Sequence, residues 1–138
     1  MINAISKITL YVNNQEQAKA FWTEKAGFTV RLEQQMGPDM KWIEVGPAQG
    51  NGTVFVLYDK KMMTAQNPGV NVGHPSVILS TDQIEAAREA LFQKGVSVGE
   101  IMRLPYGGMF QFEDMDGNQF LVRESENEHT DIWEEQVL

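Results

Sequence analysis

Chemistry that depends on a strong metal ligand or a general base has few residues to use in this chain. There is no cysteine and there are only two histidines, His74 and His129, so disulfides and thiolate sites are excluded. His74 lies just ahead of an apolar alternating segment and reads as a loop-to-strand residue bonded to backbone, with ligand contact as the alternative. His129 sits in an acidic tail and reads as solvated. Tyr58, Arg103 and Tyr106 could act as general acids or ligand clamps, although such positions also suit a plain rim. Two residues stand out by chemistry. Lys7 falls within an alternating strand, where a buried ammonium is costly unless paired, so a carboxylate such as Glu44 or an anionic ligand is expected beside it. Trp42, in Lys41-Trp42-Ile43-Glu44-Val45, faces away from Ile43 and Val45 and could stack on a planar or cationic ligand.

Composition narrows the function classes. A net charge of −8 without clustered Lys and Arg disfavours nucleic-acid backbone as a partner. The same acidity could attract a cationic ligand, or serve solubility alone. The 42% hydrophobic content suits a folded domain of one core, or two small modules. No segment approaches the roughly 20 apolar residues that span a bilayer, and the N-terminal residues lead straight into an alternating strand, so a cytoplasmic protein without a membrane partner is expected.

The elements that must position these residues come twice. Residues 5–12 alternate, with Ile8, Leu10 and Val12 on one face and Lys7, Thr9 and Tyr11 on the other. Asn13 and Glu16 form a capping-box-like start, Ala18, Phe21 and Trp22 fall at helical spacing, and Gly27 is a stop, predicting a helix over 14–26. Strands are predicted over 28–35, 40–45 and 53–58. Residues 59–73 show little periodicity and read as a connector. The pattern then restarts: Val77 and Leu79 alternate with Ser76, Ile78 and Ser80, Asp82 and Glu85 repeat the cap, Ala87, Ala90 and Leu91 form a stripe, and Gly95 ends it. Strands over 96–103, 108–114 and 119–124 complete a second copy. Asn13 maps to Asp82 and Ile8 to Val77 at a spacing of 69, but Gly27 maps to Gly95 at 68, so one helix is a residue shorter. The chain is βαβββ written twice, an α+β protein. Modules 5–59 and 74–125, a connector at 60–73 and a tail at 126–138 make up one domain. From Asp131 the tail suits a short amphipathic helix or a frayed end.

The hairpin that closes the second copy carries a resemblance. Phe110 and Phe112 alternate on the way in, Phe120 and Val122 on the way out, and Asp114-Met115-Asp116-Gly117-Asn118 turns the chain. An Asp-x-Asp-Gly-Asn hairpin ahead of an apolar strand, at the end of a doubled βαβββ, resembles the vicinal-oxygen-chelate superfamily of glyoxalase I, bleomycin-resistance proteins, fosfomycin-resistance enzymes and extradiol dioxygenases. The resemblance covers residues 5–125. It implies an eight-stranded, half-closed, barrel-like sheet with helices outside and a groove between modules, and it implies a homodimer.

Enzymes of that superfamily hold a divalent cation on His and Glu from the first and last strand of each module. Alignment by strand faces puts those four places at Lys7, Val56, Ser76 and Leu121, none of which replaces the usual ligand. No metal and no other cofactor is therefore expected. The expected groove lining is Lys7, Thr9, Tyr11, Trp42, Glu44, Val54, Val56, Tyr58, Ser76, Ile78, Met109, Gln111, Leu121 and Arg123, with His74 near the rim. Such an apolar and aromatic lining with a few polar groups suits a small-molecule site. The resulting expectation is a metal-independent protein, similar to the bleomycin-resistance branch, that binds an aromatic or cationic small molecule. The competing expectation is a metal-dependent lyase, isomerase or dioxygenase acting on a small oxygenated substrate, for which His74 is the support. Whether the protein is an enzyme stays open at this level.

Overall fold

The computed structural model describes residues 1–50 and 52–125; the acidic tail, with His129 and the helix expected from Asp131, lies outside the described residues. The chain divides into two compact units, one from Met1 to Pro75 and one beginning at Ser76. In the first unit the order is β1 (Lys7–Val12), α1 (Gln15–Ala20) running on into a π-helical turn (Phe21–Lys25), β2 (Phe28–Gln35), β3 (Lys41–Pro47), β4 (Val54–Asp59) and α2 (Lys60–Gln66). In the second it is β5 (Ile78–Thr81), α3 (Ile84–Gln93), β6 (Met102–Leu104), β7 (Gly107–Glu113) and β8 (Gln119–Glu124). Each unit has its own four-stranded sheet, β1-β4-β3-β2 and β5-β8-β7-β6, with β1 parallel to β4 and β5 parallel to β8. The doubled βαβββ order and the α+β class hold, and the eight strands are hydrogen-bonded as two four-stranded sheets, each complete within its own module. No helix among the described residues is long and apolar enough to cross a membrane.

One face of each sheet is buried under its helix. Leu10, Val12, Ile43, Val45, Phe55 and Leu57 form the core of the first unit with Ala18, Phe21 and Trp22 of the helix. Trp22 packs against Phe28 and Phe55 at ring-centroid distances of 5.0 Å each. In the second unit Ile84 and Leu91 of α3 are buried together with Phe110, Phe112, Phe120 and Val122. Burial of this kind contributes about 1.5–3 kcal/mol per large apolar side chain, which is why the period-2 and period-3.6 patterns select these faces.

The one-residue mismatch between the two copies has a structural cause. The first helix tightens nowhere; it widens, with the Ala26 amide donating to the Phe21 carbonyl five residues back at 3.0 Å. That π turn absorbs the additional residue before Gly27, whose φ of +78° matches the +82° of Gly95 at the end of α3. The caps also differ from expectation. Asn14, not Asn13, accepts from the Gln17 amide at 2.9 Å. Asp82 does not cap α3; Gln83 holds the cap position without a side-chain bond, and its amide donates to the Thr81 hydroxyl at 3.2 Å.

Three further differences concern the connections. The stretch read as a featureless connector begins with α2, nucleated where the Asp59 carboxylate accepts from the Met62 amide at 2.8 Å. The strand predicted over 96–103 is reduced to Met102–Leu104, preceded by a single bridge from Val98 to Phe112, where the Gly99 amide donates to the Gln111 carbonyl at 2.7 Å and the Glu113 amide to the Ser97 carbonyl at 3.0 Å. The strand predicted from Ser76 starts only at Ile78. The hairpin of the second unit is held by Asp114, whose Oδ1 accepts from the amides of Asp116 and Asn118 at 2.9 Å each while Gly117 takes φ +81°.

Candidate functional site

The face of the first sheet that α1 does not cover gathers eight of the expected groove residues. Register fixes their arrangement. Tyr11 lies opposite Tyr58 and Thr9 opposite Val56 across the β1–β4 ladder, while Val56 lies opposite Glu44 across β4–β3. Trp42 is two residues before Glu44 on the same face, so it falls beside Tyr58. The result is an aromatic row across three adjacent strands: Tyr11 and Tyr58 meet edge to face at 6.1 Å between centroids, and Trp42 meets Tyr58 at 6.1 Å and 88°.

Below this row sits an ion pair. The Lys7 ammonium bonds Glu44 Oε2, and the Trp42 indole N–H donates to the same oxygen at 2.8 Å. Burial is unequal. The Glu44 side chain is only 8% exposed, whereas that of Lys7 is 45% exposed, because the long lysine stem carries its charge toward water. Burial pushes the Glu44 carboxyl up, but the hydrogen bonds from Lys7 and Trp42 and the Lys7 charge outweigh it and hold the group below the ordinary carboxylate value. Glu44 is thus an ionised acceptor whose charge is already matched.

Two residues of this face were missed from sequence. Leu32 pairs with Glu44 and Gln34 with Trp42, because the register of β2 shifts between Val30 and Leu32. A bulge carries no sequence signal here, and simple alternation by itself puts Leu32 on the same side as Val30. Gln15 was missed as well. From the first turn of α1 its amide nitrogen donates to the Lys41 carbonyl at 2.7 Å and the Leu57 carbonyl at 2.8 Å, tying together the strands that carry Trp42 and Tyr58.

The second sheet presents a separate set. Met109 pairs with Arg123, and Gln111 and Ile78 each pair with Leu121, placing all five on one face. The Arg123 guanidinium lies 5.5 Å from the centre of the Tyr106 ring. Arg103 is turned to the other side, bonded to Glu85 of α3 and near Glu124, so it clamps the helix to its sheet and is not a groove residue. Ser76 and His74 are exposed and lie ahead of β5, outside any strand.

The donor chemistry does not fit the superfamily's cation. Of the four aligned places, Lys7 presents an ammonium committed to Glu44, Val56 and Leu121 present hydrocarbon, and Ser76 presents a weak hydroxyl. Among the described residues, no three His, Asp or Glu side chains converge on a common point. A cleft of about 330 Å³ at the end of the first sheet where β1 and β4 finish and β3 begins, walled mainly by Asn14, Gln15, Glu16, Asp39, Lys41 and Asp59 with Pro38 and Met40 as its apolar part, is open and has no aromatic surface for a small organic ligand. The aromatic face with its Lys7–Glu44 pair is the candidate site.

Comparison with known proteins agrees with this architecture. The family model described as glyoxalase/bleomycin resistance protein/dioxygenase superfamily matches residues 4–122. The chain is 38% identical over 125 residues to the uncharacterised protein YetH of Bacillus subtilis (strain 168), spanning 90% of this chain and 100% of that one. Among solved structures it is similar to UcmS2, at 31% identity and a TM-score of 0.74 over 91% of this chain and 100% of that one. It is also similar to TnmS3, an antibiotic binding protein from Streptomyces sp. CB03234, at 28% identity and a TM-score of 0.72 over 89% and 96%. With a match over residues 4–122 and a doubled βαβββ beneath it, the chain belongs to the glyoxalase/bleomycin resistance protein/dioxygenase superfamily.

Proposed function

We propose that this protein is a metal-independent binding protein that takes a small aromatic molecule onto the aromatic face of its first sheet. The observation that carries the reading is the row Tyr11–Tyr58–Trp42 set beside an ion pair that satisfies itself. Rings supply contact area at low entropic cost, and a matched charge pair orients a ligand without demanding an ion. The donor set at Lys7, Val56, Ser76 and Leu121 supports metal independence, since it offers no ligand of the usual kind. The likeness to TnmS3, an antibiotic binding protein, supports a binding role. The reading includes a cytoplasmic homodimer, for which exposed Ile78, Met102 and Tyr106 offer apolar surface to a second copy.

Fluorescence titration with a neutral planar probe, 2-naphthylmethanol, tests the reading. Saturable quenching is expected in the native protein and is expected to vanish in Trp42→Phe, which separates Trp42 from buried Trp22 and from Trp133. A parallel thermal-shift titration with Zn, Ni, Mn and Fe(II) is expected to leave the melting temperature unchanged, because binding to the native state must raise it. Quenching that survives in Trp42→Phe, or a saturable metal shift, would overturn the proposal.

A further inference from the structure

We infer that Lys7 makes this site selective for planar ligands that bear a hydrogen-bond acceptor or a negative charge, such as an aromatic carboxylate or an ionised phenol, and not for cations. The inference rests on the aromatic-face reading and narrows its ligand class. A cation attracted to Glu44 meets an oxygen already shared by the Lys7 ammonium and the Trp42 indole, on a side chain 8% exposed. To take that oxygen it must displace Lys7, and on Oε1 it is brought close to the like charge of Lys7. An acceptor needs no displacement. An ammonium has three donors, Glu44 occupies one of them, and nearly half of the lysine side chain is open to solvent. A ligand oxygen can therefore bond Lys7 while its ring lies on the row of Trp42, Tyr58 and Tyr11.

The neighbouring polar groups point the same way. The Tyr58 hydroxyl is bonded to Gln66, Arg31 on the opposite edge strand is held by the carbonyls of Pro47 and Gly50, and Lys41 is paired with Glu16 and Glu33. Lys7 is thus the charged donor of this face that has capacity to share. The overall charge of −8 works in the opposite sense and favours cations at long range; a Debye length of about 8 Å at physiological salt confines that field to the exterior, while contact with Lys7 is short-range.

Three probes of one shape decide the matter: 2-naphthoate, 2-naphthylmethanol and 2-naphthylmethylammonium, each titrated by quenching of Trp42. The expected order of affinity is naphthoate, then alcohol, then ammonium, with about tenfold or more between the first and the last. Lys7→Met is expected to weaken naphthoate about tenfold and the alcohol, a neutral acceptor, by less, so that the preference for the anion is lost, while Lys7→Arg retains the order. Circular dichroism of each variant verifies folding, and Lys7→Arg alone suffices if Lys7→Met does not fold. Equal or tighter binding of the ammonium probe overturns the inference and leaves the aromatic face standing, as does a naphthoate affinity unmoved in Lys7→Met. Loss of the anion preference in Lys7→Arg overturns it too. Absence of binding by all three probes removes the aromatic-face reading and this inference together.

Discussion

The pairing of Lys7 with Glu44 reverses the roles that burial alone would assign. Sequence logic treats the lysine as the costly group in need of a partner, but in the structure Glu44 is the buried charge on a central strand and Lys7 the half-exposed one that compensates it. Removing the two partners should therefore have unequal effects. Lys7→Met leaves a buried carboxylate with the Trp42 N–H as its remaining bond, and is expected to cost about 1–3 kcal/mol at neutral pH. Glu44→Gln keeps an acceptor for Trp42 and leaves an ammonium that water can solvate, so about 1 kcal/mol or less is expected. Urea unfolding of both variants tests the asymmetry, and a larger loss in Glu44→Gln would show that the lysine is the dependent partner. Much of this was legible: period-2 alternation put Lys7, Thr9, Tyr11, Trp42 and Glu44 on one face, and the cost of a lone charge called for the ion pair. The depth of Glu44 was not legible, because depth depends on position across the sheet, which alternation does not encode.

At the scale of elements, the strands and helices of the two modules followed from hydrophobic period, and the departures occur where a local bond or a close backbone approach decides. Helix α2 starts on the Asp59 cap, the π turn absorbs one residue before Gly27, and the segment before β6 is tied to β7 by an isolated bridge at Val98 and a bond from the Gly99 amide to the Gln111 carbonyl. Gln15 shows how such bonds reach the site. It is a polar residue in a first helical turn, where most sequences place a solvated side chain, yet it joins the carbonyls of Lys41 and Leu57 and so fixes the ends of β3 and β4 relative to α1. Gln15→Ala improves helix propensity slightly and loses three part-buried bonds, the third donated by the Lys41 amide to the Gln15 side-chain oxygen at 3.4 Å. We expect a net loss of about 1–2 kcal/mol and a weaker grip on 2-naphthylmethanol. Chemical denaturation and the Trp42 titration measure the two effects. If stability falls while affinity holds, the clamp serves the fold alone.

For the molecule as a whole, duplication was legible because two apolar patterns recur at spacings of 69 and 68, whereas the division of eight strands into two bonded sheets depends on pairings between distant strands that spacing does not specify. The charge distribution of the folded chain then makes a prediction about acid. Glu33, held by hydrogen bonds from Lys19 and then Lys41, Glu85, held by Arg103, and Glu44, all lie below their ordinary value of 4.5. A carboxyl lowered by folding adds stability above its unfolded value and loses it as pH falls through the folded one. All three therefore weaken the protein in acid. They do not weigh equally. Glu33 and Glu85 are paired at the surface, where solvent screens the interaction, while the Glu44 side chain is 8% exposed. The stability difference between the native protein and Glu44→Gln should accordingly be present near pH 6 and shrink as the pH drops below about 4.5, and 0.5 M salt should change it little. Glu85→Gln should differ from the native protein by little at any pH, and by less in salt. Thermal unfolding across pH 3–7 at low and high salt reads both curves. A Glu44→Gln difference that stays constant with pH would mean that the carboxyl titrates alike in folded and unfolded chains, and that the ion pair beneath the aromatic row is weaker in solution than its burial implies.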